Sequence, residues 1–331
     1  MYNKLVIKKV LIGFILFFLL CIAIVISLKI GEFQISLYNL VTGKLNEKLK
    51  FILLNIRLTR TAGALITGAA IGVSGAVLQN ILKNPLASPF TLGVSQGAAF
   101  GATLAIVVFK NFFKIKYLLV LSAFSGSLIA ILAILFLATL PSITSESIIL
   151  SGVALGAFFN AGIMFLKYFA NDIQVASAVF WTFGDLSKAT WENISIMILF
   201  LVPILIFFLY NSWNYNAFIW GKDVAKSLGV NVKLLTVFTL VFASLISSVC
   251  TAFLGIIGFI GLIAPHFIRI IIGSDYRFLI PLSAINGAFL LLLADIISRI
   301  IIKPIVLPVG IITSFAGVPL FLYIMVKSKR G

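Results

Sequence analysis

Acidic residues are scarce in this chain: nine Asp and Glu stand against 25 Lys and Arg in 331 residues, with one histidine and two cysteines. A lone histidine, His266, excludes a histidine pair and a histidine metal cluster. Cys21 and Cys250 each sit within an apolar run, which argues against a disulfide framework and a cysteine metal site. No GxxxxGK[ST] phosphate loop occurs, so the chain has no means of hydrolysing ATP by itself. G-x-S-x-G, H-E-x-x-H and C-x-x-C are missing too, and the carboxylates are scattered rather than paired. Catalysis on a soluble substrate has no residues to carry it.

What is present is apolar. Hydrophobic residues make up 62% of the chain and charged residues 10%, where soluble domains carry roughly 45–50% and about 25%. No soluble domain of this size hides so much apolar surface. The net charge of +16 does not mark a nucleic-acid binder, because the Lys and Arg lie mostly in short segments between apolar runs, where headgroups meet them. The start of the chain imitates a signal peptide, with Lys4, Lys8 and Lys9 before an apolar stretch. That stretch is longer than a signal core and no A-x-A site follows, so it reads as a first span.

A spanning helix needs about 20 mainly apolar residues. Ten stretches qualify: 10–28, 61–82, 91–109, 117–139, 147–169, 193–211, 233–253, 255–272, 279–298 and 309–326. The expected fold is an all-α integral membrane protein, one compact bundle occupying 1–331. The eighth stretch holds Gly255, Gly258, Gly261, Pro265, His266 and Arg269, and a re-entrant segment is its alternative. Basic termini and an even span number place both ends in the cytoplasm, although residues 29–60 carry Lys29, Lys44, Lys48, Lys50, Arg57 and Arg60 on the other side. Small residues recur every fourth position: Ala64, Gly68, Gly72 and Ala76; Gly93, Gly97 and Gly101; Gly152 and Gly156. In lipid, close backbone approach through such faces drives helix association, which predicts spans 2, 3 and 5 in the interior.

Ionisable groups within spans are few. Asp295 and Arg299 stand at i and i+4 and can pair. An ion-coupled carrier wants a carboxylate near the midplane, and Asp295 lies near a span end. The polar segment 219–230 between spans 6 and 7 is distinctive. From Gly221 to Leu228 it reads as a short amphipathic helix, with Val224, Ala225 and Leu228 on one side, Lys222 and Lys226 on another, and Gly229 as its cap. It is either a handle for a partner protein or an interfacial helix on headgroups.

A series of motifs then runs through the chain in order: Arg57-Leu-Thr-Arg60, Val73-Ser-Gly-Ala-Val-Leu-Gln79, Asn84-Pro-Leu-Ala87, Leu92-Gly-Val-Ser95, Leu150-Ser-Gly-Val-Ala-Leu-Gly156, Gly258-Phe-Ile-Gly-Leu-Ile-Ala-Pro-His266, Leu293-Ala-Asp295 and Leu307-Pro-Val-Gly310 with Gly317-Val-Pro319. Together they resemble the FecCD family, the permease subunits of type II ABC importers for iron-siderophores, cobalamin and haem. Thr59 departs from the family's usual proline.

The resemblance implies the type II importer permease fold in a bacterial plasma membrane. It implies a second permease subunit, identical or paralogous, two ATP-binding subunits that use ATP and Mg, and an external substrate-binding protein. This chain itself would bind no cofactor and no metal. The coupling element would comprise Gly221, Lys222, Asp223, Ala225, Lys226, Ser227, Leu228 and Gly229. Arg57 and Arg299 would meet acidic residues of the binding protein. Thr144, Ser145, Gly152, Gly156 and Asn160 would belong to the pathway and gate, with Glu146 adding an unexpected charge. Gly68, Gly72, Gly93 and Gly97 would serve packing. An ion- or proton-coupled carrier acting alone is the rival reading. On this reading, Arg57→Glu with Arg299→Glu abolishes binding-protein affinity and spares membrane insertion, as a pull-down on isolated membranes would report.

Overall fold

The computed structural model of the chain describes residues 2–31, 46–109, 117–140, 144–302 and 304–328; Lys44 and the basic residues Lys329 and Arg330 fall outside them. Its helices in chain order are α1 (Tyr2–Lys29), α2 (Glu47–Ile52), α3 (Leu58–Ile81), α4 (Val94–Val107), α5 (Leu118–Thr139), α6 (Ser145–Tyr168), α7 (Asp172–Thr182), α8 (Trp191–Tyr210), α9 (Ser212–Ile219), α10 (Lys222–Ser227), α11 (Val232–Leu254), α12 (Ile260–Ile272), α13 (Tyr276–Ser298) and α14 (Val309–Ser328). A π-helical turn, Leu53–Arg57, joins α2 to α3 without a break. No strand occurs among the described residues, only one isolated bridge from Phe183 to Ile256.

Among the described residues, seven helical stretches are long and apolar enough to cross a membrane: α1, α2–α3, α5, α6, α8, α11 and α13. The third and eighth expected spans are shorter than the sequence suggested. α4 and α12 have 14 and 13 residues, about 20 Å each at 1.5 Å per residue against a core of about 30 Å. Irregular backbone makes up the difference in both. Before α4, residues Ala87, Ser88 and Leu92 are buried. Before α12, the chain from Gly255 to Phe259 is unwound, with Gly255 at φ +81° and Phe259 at φ +65°. Such backbone survives at membrane depth only when protein satisfies it. Here Asp185 N–H donates to the Leu254 carbonyl (2.8 Å) and Gly310 N–H to the Gly184 carbonyl (2.9 Å). α12 then runs to its cap at Gly273, three residues before α13 begins.

The bundle is arranged around α3, whose apolar window is 78% buried. α3 packs on α8, α11, α12 and α13. A Cβ added at Gly68 would overlap the Gly287 carbonyl, one at Gly72 the Ser283 carbonyl, and one at Gly75 the Gly261 carbonyl. Backbone therefore touches backbone on two neighbouring helices. α4 meets α5 in the same way, Gly97 on Gly126 and Gly101 on Ser122. Polar side chains of α3 add hydrogen bonds across the helices: Ser74 Oγ donates to the Ala243 carbonyl (3.0 Å) and Asn80 Nδ2 to the Tyr215 carbonyl (3.0 Å).

One packing expectation fails. Spans 2 and 3 are interior, but α6, the fifth span, is only 28% buried. Its small-residue face does pack, since a Cβ at Gly152 would meet the Thr91 carbonyl at 2.5 Å. Its other face leaves Leu150, Phe158 and Met164 about 70% exposed. A small-residue stripe fixes one face of a helix and says nothing of the opposite one. The packing also separates two glycines that look alike in sequence. Gly75→Val leaves no room for the α3–α12 contact and should abolish recovery of folded protein, whereas Gly156→Ala, which meets only the Gln96 side chain at 3.6 Å, should leave the midpoint of thermal unfolding in detergent within about 2 °C.

Candidate functional site

Two ends of the bundle carry distinct polar constructions. At the first, α10 projects between α9 and α11. Gly221 precedes it at φ +125°, and Gly229 follows it at φ +85°. Gly229 N–H donates to the Lys226 carbonyl (3.0 Å) and Val230 N–H to the Ala225 carbonyl (3.0 Å). This is a complete Schellman ending, in which the left-handed residue is best a glycine. Ala225 and Val230 anchor the turn in the core, while Lys222, Asp223, Val224, Lys226, Ser227 and Leu228 are exposed. The sequence pattern grouped Ala225 with Val224 and Leu228. The structure separates them, and the apolar pair, 43% and 67% exposed, faces outward beside the two lysines.

α10 is tied to its surroundings through neighbours. Lys222 lies within electrostatic reach of Glu146 in the first turn of α6. Thr144 caps that turn, its Oγ1 accepting from Ser147 N–H (3.2 Å). The expected gate residues Thr144 and Ser145 thus start the helix whose exposed face also presents Asn160. Gly93, at φ +79°, lies against Gly152 and Gly156 and fixes α6 on the α4 turn. On the same end, Asp275 binds Arg277 Nη2 (2.7 Å), Lys9 Nζ (3.1 Å) and Asn216 Nδ2 (3.0 Å). Burial raises the Asp275 carboxyl, and these three donors outweigh it, holding the group well below the usual carboxylate range. The network joins the first helix to α9 and α13 at the end that carries α10.

The opposite end is built on arginine. Arg60 Nε donates to Asp295 Oδ1 at 2.6 Å, and Arg299 Nη2 stands 2.7 Å from Oδ2. The second contact is ionic rather than an aligned hydrogen bond, because that amino group aims at Ser27 Oγ (2.5 Å). Asp295 is fully buried. Arg299 Nη1 also donates to the Ser27 carbonyl (2.9 Å), and Arg57 Nη1 to those of Leu28 (2.8 Å) and Lys29 (3.0 Å). The last carbonyls of a helix have no partner of their own, and α1 receives two guanidiniums in their place. The pairing of Asp295 with Arg299 agrees with the sequence. Arg60, which sequence reasoning left among the loop charges, is the stronger partner. Its position four residues before Ala64 puts it on the face that packs against α13, and that spacing was the available signal.

Arg57 and Arg299 are therefore engaged within the chain: Arg57 is 4% exposed, and the Arg299 side chain 8%. Charge reversal at both would therefore act on contacts within this chain as well as on any docking partner. A glutamate at 299 would stand against the buried Asp295, and one at 57 against the carbonyl end of α1. No group of three or more metal-ligating side chains occurs among the described residues.

The architecture has known counterparts. Residues 19–327 match the FecCD transport family. The chain is 47% identical to the "Putative ABC transporter permease protein MJ0087" of Methanocaldococcus jannaschii, covering 100% of this chain and 97% of that one. It is 34% identical to the "Hemin transport system permease protein HmuU" of Yersinia pestis, covering 97% of both. A solved structure entitled "An inward-facing conformation of a putative metal-chelate type ABC transporter" superposes with a TM-score of 0.84 at 32% identity, over 96% of this chain and 99% of that one. Fold and sequence define a multi-pass membrane permease of the ABC transporter class. The chain belongs to the FecCD transport family.

The arginine cluster makes a measurable prediction. Asp295→Asn leaves two buried guanidiniums short of a counter-charge and should cost about 3–5 kcal/mol. Arg60→Met with Asp295→Leu removes one guanidinium together with the acid and should recover part of the loss seen for Asp295→Leu alone, Arg299 staying without its counter-charge. Urea or thermal unfolding of the four-member mutant cycle checks both, and strictly additive losses would contradict the coupling.

Proposed function

We propose that the chain is the membrane subunit of an ATP-driven importer. It would carry a ferric siderophore, or the related cobalamin or haem chelates, across the plasma membrane by alternating access. The observation that carries this reading is α10: a short helix flanked by Gly221 and Gly229, both at positive φ, presenting Val224 and Leu228 beside Lys222 and Lys226. A lone carrier has no use for such a projection. It suits a docking partner, and the partner in this reading is one of two cytoplasmic ATP-binding subunits, which would place α10 and both termini in the cytoplasm.

The transport path would run between two permease subunits, along the uncovered face of α6 with Asn160 and the exposed Phe315 of α14. Glu146 and Lys222 give a short route from α10 to the start of α6, where Thr144 and Ser145 would gate the inner end. A binding protein would dock at the arginine end. Arg57 and Arg299 would serve there by holding the α1 terminus in place, and direct pairing with the binding protein's acids would need their release from α1. The ion-coupled alternative loses its candidate, because Asp295 is fully buried and held between two guanidiniums.

Gly229 gives the test. A valine at φ +85° is strained wherever it is placed, and nothing lies within 4 Å of an added Cβ, so the fold outside the loop should survive. Gly229→Val should insert and assemble yet lose at least tenfold in transport-coupled ATP hydrolysis, measured with the ATPase subunits and binding protein in proteoliposomes. Unchanged coupling would count against α10 as the transmission element.

A further inference from the structure

Beside α10 a polar cavity of about 290 Å3 opens between the ends of α3, α9 and α12. Lys83, Arg269, Asn80, Asn84, Ser274 and Tyr276 contribute to its wall. No carboxylate does, and among the described residues neither cation forms an ion pair. Arg269 Nη2 donates to Gln79 Oε1 (2.9 Å), a neutral partner. The α3 and α12 termini direct their carbonyl ends here, each worth about half a negative charge. Two full cations therefore leave an excess of roughly one positive charge.

Two further observations point to a ligand. Lys83 ends α3 in the left-handed region, φ +46°. Lys83 N–H donates to the Asn80 carbonyl (3.0 Å) and Asn84 N–H to that of Gln79 (3.2 Å). This turn favours glycine at residue 83. A lysine held there against its backbone preference suggests a use for its amine, which lies 3.8 Å from the position of a Cβ on Gly221. The second observation is Asn80, 6% exposed, whose Nδ2 is committed to Tyr215 while its Oδ1 accepts no aligned hydrogen bond, although the Tyr276 side chain lies near both Asn80 and Arg269. Buried amide oxygens are rarely left so.

A fitting ligand accepts from Lys83 and Arg269 and donates to Asn80 Oδ1. An ionised carboxylate only accepts. A hydrogen phosphate does both, and so does the phosphate and hydroxyl of a phosphoglycerol headgroup. We propose that this cavity is a phosphate site, filled by inorganic phosphate or by the headgroup of an anionic phosphoglycerol lipid, and that its occupant fixes the entry to α10 through Lys83.

The full chain in phosphatidylcholine nanodiscs, titrated with inorganic phosphate, and a parallel series doped with phosphatidylglycerol provide the test, read by native mass spectrometry. Wild type should hold one phosphate-bearing molecule. Lys83→Glu, an exposed change, should weaken it at least tenfold, as should Lys83→Gln with Arg269→Gln, while Lys222→Gln with Lys226→Gln should not. Saturation by inorganic phosphate in pure phosphatidylcholine assigns the free ion; retention only in doped discs assigns the lipid. Binding unchanged in both cavity variants, equal loss in the control, or no phosphate-bearing molecule on wild type overturns the proposal. If neither probe binds and Lys83→Glu instead weakens an ATP-binding subunit, the cavity belongs to a protein side chain and the phosphate assignment is wrong.

Discussion

Between α3 and α13 the backbones touch with no side chain intervening. Gly68 meets Gly287, Gly72 meets Ser283, and two turns further along Arg60 meets Asp295. Each contact lies four or eight residues from the next on both helices, so one antiparallel register carries all three. In lipid, apolar side chains gain little by leaving their surroundings, and close backbone contact supplies the attraction. The ion pair closes the same seam. Once the register is set, the Gly75 contact seats α12, Asn80 seats α9, and the guanidiniums at the far end receive α1.

The scarcity of acids gives the few that exist decided roles. Asp295 neutralises one seam. Asp275 gathers α1, α9 and α13 at the other end. Arg57 and Arg299 also donate to the last carbonyls of α1, which carry partial negative charge. At that end of the bundle the charges are held within the chain. α10 differs, because its lysines and its apolar pair are left uncovered.

Much of this was legible in the sequence. Apolar length located the crossing segments, and four-residue spacing located the glycine faces. Gly229 announced its cap because a left-handed residue at a helix end has few candidates. Gly255, Gly258 and Gly261 did mark the irregular start of α12, whereas the shortened α4 was not legible, since an irregular buried stretch of chain is as apolar as a helix and has no period to betray it. Nor was the exposure of α6, because apolar residues facing a lipid, a partner or a pathway have the same composition. The inward turn of Arg57 onto the end of α1 was hidden for another reason. An arginine at a span end reads as a surface charge unless the carbonyls it caps are known.

The central claim is that this permease moves its cargo only when driven through α10 by a separate ATPase. Uptake of a ferric chelate into proteoliposomes holding the chain, with and without ATP-binding subunits and binding protein, addresses it most directly. Uptake that requires both partners and ATP hydrolysis is the predicted result. Uptake by the chain alone, driven by a proton or sodium gradient, would contradict the account.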